Sequence, residues 1–215
     1  MTLNNIQKIK LCQSEILDRM YEMGNHLSLL TVQILSASQP GSLANLLANI
    51  SYYANKQLSR IRDAYKCGPL KEIDRIAWST TCLMETQLLL DYIVKIENED
   101  ALKIINEEFN HDNNIINLGM HKNIKVEHAE SMNEILFNFS CTSFLEKIIK
   151  KSCLSKDLIM HRKFLYKYSH PSVYFLFKNF DDLQLNEHLL MILEKTNEYL
   201  SNICDALNYV LDSLA

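Results

Sequence analysis

The 215 residues are 47% hydrophobic and carry a formal net charge of −4, from 22 Lys and Arg against 26 Asp and Glu. That is ample apolar material for one sizeable core. The slight acid excess argues against a wholesale polyanion binder, so any nucleic-acid contact has to be local.

With only 4 glycines and 3 prolines, and no stretch of alternating β-branched residues, the chain reads as all-α. Ile6, Ile9, Gln13, Ile16, Met20, Met23, Leu27, Leu30 and Ile34 follow alternating three- and four-residue steps, and eight of these nine positions are apolar. They predict a long first helix over residues 1–36 whose seam faces a bundle or another chain. Gln39 before Pro40, then Gly41, ends it, and Ser42 suits the cap of the next helix. The second helix runs to Gly68, a C-terminal cap, with Pro69 in the first turn of a third that reaches about residue 96.

Residues 97–134 carry nine acidic residues against three lysines. They read as a short helix, a loop near 110–125 and the start of a helix over about 127–151. Another helix spans about 153–169, a short one follows Pro171, and the last runs from about 184 to 214. That last helix bears two apolar stripes, one through Leu189, Ile192, Thr196 and Tyr199, the other through Leu193, Asn197, Leu200 and Cys204. Two stripes predict a helix lying between others. With no internal repeat and no linker, the expectation is a single domain over 1–215. It is a bundle of six to eight helices with long first and last members, in which residues 1–36 are an oligomerisation element and 42–214 the bundle proper.

From Met23 to Asn55 there are 33 consecutive residues without a charge, although 22% of the chain is charged. Such a segment has to be covered on more than one face. A two-fold homodimer is expected to supply part of that cover, with Leu30 and Leu47 at the contact. A monomer that encloses the hairpin is the other possibility. The six cysteines are scattered without a CxxC pair and read as reduced thiols in a cytoplasmic protein. The N-terminus lacks the apolar core of a signal peptide, and no run of about 18 apolar residues is present to span a bilayer.

Two places carry candidate chemistry. Seven basic residues, Lys147, Lys150, Lys151, Lys156, Arg162, Lys163 and Lys167, stand against one acid between residues 147 and 167. They form either a solvated face balancing the acidic middle or a phosphate-attracting patch, with Phe164, Tyr166 and Tyr168 as stacking surfaces. His170 closes this patch before Pro171, with Tyr166 one helical turn back and Arg162 two. An imidazole there exchanges protons near neutrality and an arginine holds phosphate, unless His170 is only a helix-stop residue. The second place is Glu85, the one charged residue between Arg75 and Asp91. A carboxylate on an apolar face needs a partner, which here has to be an Arg, Lys, His or Tyr from another helix. That pair either pins the bundle or serves a site. His111, His121 and His128 have neither metal-ligand spacing nor a nearby Cys, so no metal and no cofactor is expected.

The pair RIAWSTTCLMETQLLLDYI (75–93) and YKYSHPSVYF (166–175) resembles the HEPN-like helical families of bacterial proteins. Many of these are metal-independent ribonucleases of toxin, defence and RNA-processing systems, in which an Arg-x4-6-His motif from two protomers forms a composite site. The resemblance implies Arg162 and His170 as catalytic residues, with Tyr166 and Ser169 beside them and the lysines gathering RNA. Seven residues separate Arg162 from His170, one more than that motif holds, and Lys163 has the spacing of six without being an arginine. A non-catalytic helical module that binds a protein partner therefore stands beside the ribonuclease reading.

Overall fold

The computed structural model describes residues 2–37, 43–95, 156–169 and 180–214. Among them are five α-helices and no strand: α1 (Thr2–Ala37), α2 (Leu43–Cys67), α3 (Ile73–Lys95), α4 (Lys156–Ser169) and α5 (Asp182–Leu214). The helices expected between residues 97 and 151 and the short one after Pro171, on which the expected total of six to eight rests, lie outside the described residues. The chain partitions into two compact units, residues 1–90 with 155–215, and residues 91–154. The first holds α1, α2, α4, α5 and most of α3. No helix of the described residues is long and apolar enough to cross a membrane.

The seam of α1 is buried as its spacing predicts: Ile16, Met20, Leu27, Leu30 and Ile34 all face inward, toward α2 and α5. Its one polar member, Gln13, is only 1% exposed. Its Nε2 donates to the Asn186 carbonyl at 3.0 Å, and its Oε1 accepts from the Tyr65 hydroxyl at 3.2 Å. One amide thereby joins α1, α2 and α5 and is satisfied on both sides, as a buried amide must be.

Higher up, α1 and α2 approach closely because small residues meet there. A side chain on Gly24 would begin 2.7 Å from Leu58 Cδ2. Around this crossing Ser51 Oγ donates to the Leu27 carbonyl (3.1 Å), Thr31 Oγ1 lies 2.8 Å from Ser51 Oγ, and Asn55 Nδ2 donates to Ser28 Oγ (2.7 Å). Much of the uncharged run is thus an intramolecular contact of small and hydroxylic residues. Leu30 and Leu47 belong to this protomer's own core, which corrects their assignment to an interface between chains. The apolar residues that do face outward are Leu29 (54% exposed), Val32 (61%), Leu35 (48%) and, on α2, Tyr52 (65%).

Gly68 ends α2 with φ of 130°, a conformation that glycine adopts without strain. Its carbonyl accepts from the amides of both Lys71 and Glu72, which closes a turn over residues 68–72. Pro69 therefore lies in the turn, and α3 begins only at Ile73. From Ser79 to Leu90 α3 is buried on nearly every side. Thr80 Oγ1 meets Thr196 Oγ1 of α5 at 2.7 Å in the interior. The two stripes of α5 are both buried, through Leu189, Ile192, Tyr199 and Ile203, and through Leu193, Leu200, Cys204 and Leu207. Asp181 caps this helix, its Oδ1 accepting from the Gln184 amide at 2.8 Å.

Candidate functional site

Glu85 follows Cys82 and precedes Leu89 on α3, both nearly solvent-free. A carboxylate in such a row loses hydration, and burial accordingly raises its pKa. Two groups of α4 act against that rise. The charge of Arg162 lies close enough to favour the ionised form, and Tyr166 gives the carboxylate a hydrogen bond. Because Arg162 and Tyr166 are four residues apart, they occupy one face of α4. Arg162 Nε donates to Tyr166 Oη at 2.9 Å, and the guanidinium carbon lies 5.0 Å from the centre of the same ring. The tyrosine hydroxyl thus accepts from the arginine and donates to the glutamate. Three sequence-derived candidates, Glu85, Arg162 and Tyr166, form one hydrogen-bonded series between α3 and α4.

The same surface of α3 also meets α2. The Cys82 thiol is pushed up to about 11 by burial, against a lowering hydrogen bond with Tyr53; the Glu85 carboxylate raises it further and the Arg60 guanidinium lowers it. Cys82 therefore stays protonated at neutral pH and is no nucleophile. Arg60 is half-buried and donates from Nη1 to Gln57 Oε1 at 3.4 Å.

The other flank of α4 is aromatic. Phe164 and Tyr168, again four residues apart, pack edge-on to His188 of α5 with ring centres 5.8 and 5.7 Å from it, and Phe180 adds a third ring at 5.3 Å. The Tyr168 hydroxyl is hydrogen-bonded to His188 Nδ1. Sequence reasoning assigned no role to His188. The signal available was a histidine within a strongly apolar helix, which needs a polar partner.

Lys163 and Lys167 are exposed on α4. Lys156 and Ser169 are the end residues of that helix, and their side chains lie outside the described residues, as do Lys147, Lys150, Lys151 and His170 altogether. Among the described residues no three His, Cys, Asp or Glu side chains are grouped to hold a metal ion. Compared with known protein families, with curated proteins and with solved structures, the chain matches none.

Proposed function

We propose that the chain is a HEPN-like, RNA-directed protein acting as a metal-independent endoribonuclease of a bacterial defence or toxin system. The observation that carries this reading is the series Arg162–Tyr166–Glu85. An arginine that is to grip a phosphate has to be held in place yet keep its charge. Tyr166 fixes the guanidinium and also bonds the Glu85 carboxylate, which ties the arginine's position to α3. Arg162 then binds the scissile phosphodiester, and His170, two turns further along the sequence, moves the proton of the attacking 2′-hydroxyl. Ser169 stands beside it, and Lys147, Lys150, Lys151, Lys156, Lys163 and Lys167 draw RNA in. A homodimer supplies the two copies that a composite site needs.

The test is incubation of the purified chain with RNA in the presence of a chelator. Fragments ending in 2′,3′-cyclic phosphates, lost in Arg162→Ala and His170→Ala, are the expected result; intact RNA overturns the ribonuclease reading.

A second reading, a non-catalytic module that regulates or neutralises a protein partner, is favoured by the exposed uncharged face of Leu29, Val32, Leu35 and Tyr52. Under it, the protein leaves RNA intact and is recovered with a partner that Val32→Glu releases.

A further inference from the structure

Two flanks of α4 are held in different ways. Arg162 and Tyr166 share the flank toward α3, but the 2.9 Å hydrogen bond between them lies within α4 and turns with it. It aims the guanidinium relative to its own helix and not relative to the bundle. Phe164 and Tyr168 come two residues later than Arg162 and Tyr166, which puts them about 200° further round the helix axis. There they meet His188 of α5.

This second flank is directional. Tyr168 is only 3% exposed, so its hydroxyl has to find a partner inside the protein, and it is hydrogen-bonded to His188 Nδ1. The imidazole stands edge-on to Phe164, Tyr168 and Phe180, at interplanar angles of 83°, 69° and 78°, and Phe164 stands edge-on to Tyr168 at 63°. Such pairs hold because the positive rim of one ring meets the negative face of another, so a turn of α4 about its axis loses several of them and the hydrogen bond together. A turn of about 10° moves a group at the radius of a helical side chain, roughly 5 to 6 Å, by about 1 Å.

We infer that His188 is a positioning residue of the RNA-cleaving site: through Tyr168 and Phe164 it sets the rotation of α4 and so aims Arg162 at the scissile phosphodiester. This rests on the ribonuclease reading and adds to it a residue of α5 that acts through α4 and not on the RNA. An error of about 1 Å in the approach of Arg162 to a phosphate costs on the order of a hundredfold in rate. RNA binding is spared, because exposed lysines such as Lys163 and Lys167 reach phosphates on flexible stems that absorb a small rotation.

The experiment is steady-state cleavage of a fluorescently labelled oligoribonucleotide by the full chain in the presence of a chelator, well below the melting midpoint of each variant. Tyr168→Phe and His188→Phe keep a ring and remove the hydrogen bond; each is expected to lower kcat about a hundredfold and to leave KM unchanged. His188→Asn, whose side-chain amide takes the place of Nδ1, is expected to recover about tenfold of that loss. Gln13→Leu, which perturbs the bundle away from α4, is the control and keeps kcat. If His188→Phe does not fold, Tyr168→Phe decides. Variants at both positions that cleave as wild type does, while Arg162→Ala does not cleave, overturn this inference and leave the proposed function standing. A fall in kcat no larger than that of Gln13→Leu, or one matched by a rise in KM, does the same. A wild-type chain that leaves RNA intact overturns both.

Discussion

Arg162 donates from Nε to the hydroxyl oxygen of Tyr166, 2.9 Å away and one turn further along α4. The same hydroxyl serves Glu85 on α3, so its removal acts on two charged groups at once. Tyr166→Phe keeps the ring under the guanidinium but leaves both without this partner. It is expected to cost about 1 kcal/mol, read by thermal or denaturant melting. A variant as stable as wild type would show that neither hydrogen bond matters in solution.

Glu85 makes stability depend on pH with a definite sign. Its folded pKa is raised above the ordinary value of 4.5, with burial as the largest cause. The folded chain thus holds this proton more tightly than the unfolded chain does. The stability tied to it is fully present below 4.5 and is lost as pH rises through the folded value. Wild type should therefore lose stability relative to Glu85→Gln as pH rises above 4.5. Glu85→Ala, which strands Arg162 and Tyr166, is expected to be less stable than either by about 1 to 3 kcal/mol. Melting midpoints of the three proteins at a series of pH values check both statements; a constant difference between wild type and Glu85→Gln contradicts the first.

Gln13 gives a stability test remote from the site. Gln13→Leu fits an apolar seam by shape, yet it leaves the Tyr65 hydroxyl without the acceptor 3.2 Å away. The expected cost is about 1 to 2 kcal/mol. Adding Tyr65→Phe removes the stranded hydroxyl, so the double variant should lose less than the sum of the singles. Strict additivity in chemical denaturation would mean that the two side chains are not coupled.

The outward face of α1 bears on the oligomeric state. Light scattering at micromolar concentration is expected to give twice the 25.0 kDa chain mass. Val32→Glu should halve that mass without lowering the melting temperature, because Val32 is 61% exposed in the protomer. A wild-type mass of one chain removes the homodimer. Leu30→Glu is the wrong probe, since it places a charge in the core.

The features legible in the sequence are those that one helix determines by itself. The spacing from Ile16 to Ile34 decides which face of α1 turns inward whatever covers it. Glu85, isolated on an apolar helix, announces its need for a partner, and Arg162 and Tyr166 announce a shared face. What a single helix does not specify is its neighbour. Nothing in the spacing of Tyr53 and Arg60 says that α3 lies beside them, and nothing around His188 says that Tyr168 does. The crossing at Gly24 and Leu58 depends on how two helices meet, so Leu30 and Leu47 could be recognised as buried but not as buried within one chain.

The position of α5 along the chain bears on how the protein comes to be folded. This helix touches α1 through Asn186 and Gln13, α3 through Thr196 and Thr80, and α4 through His188 and Tyr168. The first of these contacts joins residues separated by 173 positions. A ribosome delivers α1 to α4 before the helix that completes their packing exists. Until it arrives, α2 is the main neighbour of α1 among the described helices, so Ile16, Met20 and Leu27 lack part of their cover and the nascent chain has reason to engage a chaperone. Closing so wide a loop is also slow. Folding should accordingly be a single late event triggered by emergence of residues 182–214 rather than a helix-by-helix accretion.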